Sequence, residues 1–120
     1  MRPQIDDTRF GSITIEGARY EHDIIIRLSG KVRKRDKKLS QAVHGTSHTI
    51  SLAEIEDLYR KRAERIIIGT GQEDKTRLSK DASEFLVQRG CKVALWPTPK
   101  AVKRWNDAEG KVLALFHVTC

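Results

Sequence analysis

The stretch His117-Val118-Thr119-Cys120 sets a histidine beside a cysteine, a pair that can make a nucleophile. A nearby imidazolium lowers a thiol's pKa, and the thiolate is the attacking form. The spacing argues against that use. Along an extended strand, residues three apart point to opposite faces. Cys120 is also the last residue, where one geometry is hard to hold. A buried strand with His117 satisfied by hydrogen bonds explains the same residues, so no catalytic residue is assigned.

A second candidate is Ile66–Gln72, where an apolar strand runs into Gly69-Thr70-Gly71. Glycines after a strand can let backbone amides approach a phosphate. A dinucleotide fingerprint would need a third glycine where Asp74 stands. It would also need a helix starting at the glycines, but the next helix signal is Ser79. Glu73 and Asp74 would repel a pyrophosphate, and no Gly-Lys-Ser/Thr follows to make a P-loop. A tight turn whose glycines serve backbone geometry accounts for the pattern. One pocket stays open as an expectation. In a parallel sheet the loops after Ile66–Gly69 and after Val93–Trp96 leave the same edge, where ligands of such folds bind. Thr98-Pro99 opens a helix there with Lys100 close by. A small anion or peptide carboxylate could sit among Gly69, Thr70, Gly71, Thr98 and Lys100; an ordinary capped helix is the alternative.

His44 and His48 flank Gly-Thr-Ser. Four-residue spacing suits a metal on a helix, but Gly45 argues for a loop, and two ligands are too few for a structural zinc. Cys91 and Cys120 form no ligand pair. No metal and no cofactor are expected. In a chain with no secretion signal, the two cysteines read as free thiols.

The net charge is +7, and Lys31–Lys38 holds five of those charges through six basic residues and one acid. Clustered Lys and Arg neutralise phosphates, which makes Lys31, Arg33, Lys34, Arg35, Lys37 and Lys38 a candidate for weak nucleic-acid contact. No aromatic lies between Tyr20 and Tyr59, so the stacking residues of single-strand binders are missing there. An edge strand protected by positive charge explains the run equally well.

These residues must be positioned by a chain of 120 residues, a length that fits one domain over residues 1–120 and can bury a core without staples. No apolar run is long enough to span a bilayer, and Met1–Phe10 lacks an apolar signal region. The expectation is a cytoplasmic protein without membrane contact. Continuous apolar runs at Ile24–Ile26, Ile66–Ile68, Val93–Trp96 and Val112–Val118 predict strands, the last three buried on both faces. Ser12–Glu16 alternates and predicts a half-exposed strand ended by Gly17. Ser29-Gly30 could turn a hairpin into Lys31–Arg35.

Three helices separate the later strands. Ser51 and Glu54 form a capping box, with Ile50 and Ile55 as a staple, and Glu56–Arg60 and Asp57–Lys61 are spaced for ion pairs. A second helix runs from Ser79 to Gly90, with Ala82, Phe85, Leu86 and Val87 inward. A third starts at Thr98-Pro99, buries Ala101, Val102, Trp105 and Ala108, and ends at Gly110. The alternation predicts an α/β fold: a mostly parallel sheet with helices on both faces, plus a β-rich N-terminal hairpin region. The segment from Gly30 to His48 carries no assignment beyond that turn.

Taken in order, "RFGSITIEG", "YEHDIII", "SGKVRKR", "GTSHTIS", "IIIGTGQ", "PTPKAVKRWN" and "LFHVTC" resemble the Mth nine-three-eight domain family of unknown function, from about Ile5 to Cys120. The resemblance implies a three-layer α/β fold with a mixed central sheet, the last strand central and antiparallel to its neighbours. It brings no established enzymatic activity to carry over and no catalytic residues to map. Eukaryotic relatives include an adipogenesis-associated protein and a mitochondrial assembly factor for respiratory complex I. Together these point to a non-enzymatic protein-interaction or assembly module, monomer or homodimer, with an unknown protein partner. A small anionic ligand or enzyme site at the glycine turn is the alternative, and weak nucleic-acid binding the second alternative.

Overall fold

A computed structural model describes residues 2–120. Its centre is a five-stranded sheet in the order β5-β4-β10-β7-β9. Those strands are β4 (Ile24–Ile26), β5 (Val32–Lys34), β7 (Arg65–Thr70), β9 (Lys92–Trp96) and β10 (Val112–His117). β7 runs parallel to β9 and to β10, while β4 runs antiparallel to β10 and to β5. The sheet is therefore mixed. The last strand is antiparallel only to β4; its register with β7, from Val112 opposite Arg65 to His117 opposite Thr70, is parallel. Every residue of β10 is buried, as its unbroken apolar run requires for a strand covered on both sides.

Alternation sorts the strand residues into two cores. Ile24, Ile26, Ile67, Ala114 and Phe116 face α4 (Thr98–Asp107) and a three-stranded antiparallel sheet of β1 (Ile5–Arg9), β2 (Ser12–Ile15) and β3 (Ala18–Tyr20). Ile25, Ile66, Ile68, Leu113 and Leu115 face α2 (Leu52–Leu58) and α3 (Lys80–Gln88). The result is three layers with helices on both faces. The N-terminal region is larger than one strand: Glu16 and Gly17, at φ 48° and 83°, make the two-residue turn that joins β2 to β3.

The stretch without an assignment holds a helix, α1 (Lys38–His44), closed by Gly45 in the left-handed conformation. Gly45 is therefore a helix stop rather than a sign of loop throughout. The Ser29-Gly30 turn forms, with the Gly30 amide on the Arg27 carbonyl at 2.8 Å. A short parallel pair, β6 (Thr49–Ile50) and β8 (Arg77–Leu78), links the approaches to α2 and α3.

Several local expectations change. β9 is not buried on both faces: it is an edge strand, and Leu95 faces solvent. α2 stops at Leu58 because Tyr59 is extended, so Arg60 and Lys61 lie beyond it; Asp57 pairs with Arg27 instead, at 3.5 Å. Val87 points outward and is 69% exposed. The capping box forms by half: Ser51 Oγ accepts the Glu54 amide at 3.1 Å, but the Glu54 carboxylate turns away from the helix end. Its destination builds the site described next.

Candidate functional site

At the end of β7 the glycine turn is filled by the chain itself. A Cβ on Gly69 would meet Phe116 and Thr98 at 2.8 Å, and one on Gly71 would fall 2.2 Å from the Cys120 main chain. The helix-start groups are also taken. Thr98 Oγ1 accepts the Gly71 amide at 2.9 Å and donates to the His117 carbonyl at 2.6 Å, while the Thr98 amide donates to the Gly71 carbonyl at 3.0 Å. Thr70 Oγ1 donates to Asp74 at 2.5 Å. Lys100 stands apart from the turn, its ammonium 4.4 Å from the centre of the Trp96 ring. The glycines allow close packing of α4 and the C-terminal residues rather than forming a cradle for an anion.

Charged groups gather elsewhere. Arg35, which lies in the basic run, is 2% exposed. Its guanidinium donates to both Glu54 oxygens at 2.6 and 3.0 Å, to Asp23 at 2.9 Å and to the Ser47 carbonyl at 2.8 Å. It cannot reach a nucleic-acid backbone, which corrects its place among the candidate contacts. Ser40 on α1 donates to Glu54 at 2.5 Å and accepts the Ser51 amide at 2.9 Å. Ser40 thus supplies the second half of the cap that Glu54 gives up. Burial alone would lower the Arg35 pKa, but hydrogen bonding and charge from Glu54, then Asp23, raise it. Two buried carboxylates facing one fork satisfy the requirement that buried charge be paired and hydrogen-bonded.

Asp23 carries the network to β10. One oxygen accepts the Val118 amide at 2.9 Å; the other meets His117 Nδ1 at 2.6 Å, with the Lys37 ammonium 3.6 Å away. Burial would raise the carboxyl, yet hydrogen bonds from His117 and Val118 and the charges of His117 and Lys37 bring it down to about 2. On the other side of the imidazole, His117 Nε2 lies 3.1 Å from Thr119 Oγ1. The side chain that meets His117 is thus Thr119 rather than Cys120; the residue two positions along shares its side, as strand periodicity dictates. The C-terminal residues are held firmly. Gly11 and Gln72 amides donate to Val118 and Thr119 carbonyls at 2.7 Å each, and Glu73 and Lys75 amides to the Cys120 carbonyl at 3.2 and 3.0 Å.

Above this network lies a cleft of about 650 Å³ whose walls include His22, Asp23, Lys34, Lys37, Gln41 and Thr119. That volume falls in the range of small-molecule sites. Lys34 lies exposed on its rim and Lys38 also lines it. The remaining members of the basic run, Lys31 and Arg33, lie at the edge strand β5, with Arg33 in the ladder to Ile25. His44 ends α1, and the His48 ring meets the His117 ring edge-on at 5.3 Å. Cys91 is buried in the core, where burial pushes its thiol up to about 11.

A second open feature is the far sheet edge. β9 pairs with β7 on one side and ends the sheet on the other. The Lys92 amide donates toward β7, to the Glu64 carbonyl at 3.0 Å. By alternation, the main-chain groups of Val93 and Leu95 point along the open edge. Leu95 is 46% exposed. Beside it a groove between β9 and α4 is lined by Arg65, Lys92, Ala94, Trp96, Arg104 and Asp107. The Arg104 guanidinium lies 5.0 Å from the Trp96 ring centre.

Sequence reading missed Asp23, Glu54, Ser40 and Thr119. Asp23 and Glu54 had a faint signal: an acid abutting the Ile24–Ile26 run, and an acid in a helix turn that packs inward.

Among the described residues no helix is long and apolar enough to cross a membrane. The sequence pattern of a protein family of unknown function (DUF498/DUF598) matches residues 5–117. The conserved hypothetical protein PH1505 from Pyrococcus horikoshii OT3 is similar in structure at a TM-score of 0.91 and 31% identity, covering 98% of this chain and 99% of that one. The protein MT938 gives 0.84 and 34% over the same shares of the two chains. A Mth938-like domain protein of Bordetella pertussis, at 16% identity, 0.58 and 97% and 85% coverage, shares the fold. The chain belongs to the DUF498/DUF598 family, the Mth938 domain family of unknown function.

Proposed function

We propose that the chain is a protein-interaction module that takes an extended, acidic segment of a partner protein along the open edge of β9. The single observation behind this reading is that edge: a five-residue strand with outward main-chain groups at Val93 and Leu95 and, among the described residues, no strand beyond it. An unpaired edge is a template for strand addition, in which main-chain hydrogen bonds give affinity and alternate side-chain pockets give specificity. Charge selects the occupant. Arg65, Lys92, Lys100, Lys103 and Arg104 surround the edge and its groove against Asp107. A second copy of this edge would bring its own Lys92, with Arg65 and Arg104 beside it, against these, and like charges facing each other destabilise a strand pair.

The test uses a fluorescent octapeptide of alternating valine and glutamate, followed by anisotropy. The wild-type chain should bind it, and added salt should weaken binding as exposed charges are screened. Leu95→Pro removes one outward N–H without touching the β7 ladder, a position where an edge strand tolerates proline. It should weaken binding by about tenfold, the equivalent of about 1.4 kcal/mol. No binding, equal binding by Leu95→Pro, or sedimentation showing dimerisation through β9 would each overturn the reading.

A further inference from the structure

We propose that Asp23, His117 and Thr119 form a hydrolytic site in the cleft, with the Thr119 hydroxyl as nucleophile and esters carrying a negative charge as substrates. This rests on the cleft alone and is independent of the β9 edge.

The three groups stand in working order. Asp23 meets His117 Nδ1 at 2.6 Å, and His117 Nε2 meets Thr119 Oγ1 at 3.1 Å. A carboxylate on Nδ1 fixes the tautomer that leaves Nε2 as acceptor, so the Thr119 hydroxyl donates to it. That is the arrangement by which a base activates a hydroxyl nucleophile on unrelated folds. Asp23 and His117 are each 1% exposed, while Thr119 is only partly buried and opens on the cleft. The main-chain bonds to Val118, Thr119 and Cys120 hold the hydroxyl in place, answering the objection that the chain's last residues are loose.

The chemistry balances without a further reactant. Thr119 Oγ attacks the ester carbonyl carbon, and its proton passes to His117 Nε2. The ester C–O bond breaks, and the departing alkoxide takes that proton. Water then attacks the acyl-threonine, gives a proton to Nε2 and releases a carboxylic acid; Nε2 returns the proton to Thr119 Oγ. Lys34, Lys37 and Lys38 outnumber Glu21 and Asp36 on the cleft walls, and this positive balance favours an anionic acyl group. Arg35 lies 2.9 Å from the same Asp23 oxygen that meets His117. It divides the support Asp23 gives to the imidazolium, so turnover is expected to be slow and the acyl-threonine to persist.

The test compares p-nitrophenyl succinate with p-nitrophenyl acetate. The wild-type chain should hydrolyse the succinate ester faster, and a fluorophosphonate should leave a mass adduct on the peptide containing Thr119. Thr119→Val keeps the shape and removes the hydroxyl; it should lose about a hundredfold or more in rate, within the range that general-base assistance supplies. Thr119→Ser should keep activity, and Lys37→Ala should erode the preference for succinate over acetate. Circular dichroism confirms that each variant is folded. Hydrolysis at background, an unchanged rate in Thr119→Val, or an adduct on Cys120 or a lysine instead would overturn the proposal.

Discussion

Thr70 of β7 and His117 of β10 are paired neighbours at the end of one sheet, yet the chain finishes differently beyond each. After Thr70 it turns on glycine, and main chain packs on main chain: Gly71 lies against Cys120, and Thr98 closes the gap. After His117 the sheet ends in side chains, with Asp23, Arg35 and Glu54 buried under an open cleft. The first end gains close packing and excludes ligands. The second accepts the cost of burying charge and leaves a polar floor under solvent. Small residues at a strand end can mean closure, whereas function is better sought where buried charge meets a cavity.

The sharpest way to break this contrast is at the polar end. Arg35→Met removes the guanidinium shared by Asp23 and Glu54, whose side chains are 1% and 4% exposed. Truncating one partner of a buried ion pair costs about 3–5 kcal/mol, because the remaining charge is left uncompensated. Urea unfolding should show a loss near the middle of that range. A loss below about 1 kcal/mol would mean that the network is hydrated and less dry than the geometry implies.

The closed end should respond almost as strongly to a single methyl group. Gly71→Ala would put a carbon 2.2 Å from the Cys120 main chain, at a backbone φ of 102°. Overpacking and left-handed strain together should cost about 3 kcal/mol. Gly90→Ala is the internal control, since it has φ 68° and nothing within 4 Å. Its cost should be strain alone, about 1 kcal/mol. Equal unfolding midpoints for the two variants would show that the turn can open, and would revive an anion site there.

The same contrast explains what could be read from sequence. β7 and β10 were legible because a strand buried on both faces must be apolar throughout, and α4 because proline and spaced apolar residues mark its start and stripe. Even the closure at Gly69 and Gly71 was foreshadowed by the missing third glycine. The polar network was not legible, since its members stand at positions 23, 35, 40, 54 and 117 and only the fold brings them together. Arg35 was masked by its five basic neighbours. Glu54 was masked by a local role, the capping box, which Ser40 takes over from α1, a helix too short and too polar to announce itself.

The finest discrimination is by pH. The Asp23 carboxyl is pushed down to about 2 from an ordinary 3.8. The unfolded chain therefore takes up a proton at higher pH than the folded chain does. Stability from this group is complete above about pH 4 and is lost as pH falls through about 2, where the folded carboxyl is finally protonated. A depression of this size corresponds to roughly 2 kcal/mol at about 1.36 kcal/mol per unit. Unfolding free energies measured from pH 5 down to pH 2 should fall for the wild-type chain, and the fall should be smaller by about that amount in Asp23→Asn, whose amide does not titrate. Parallel curves would mean that other carboxylates carry the acid sensitivity. The contrast between the two ends of the sheet would then rest on packing alone, with charge at the His117 end contributing geometry but no pH-dependent stability.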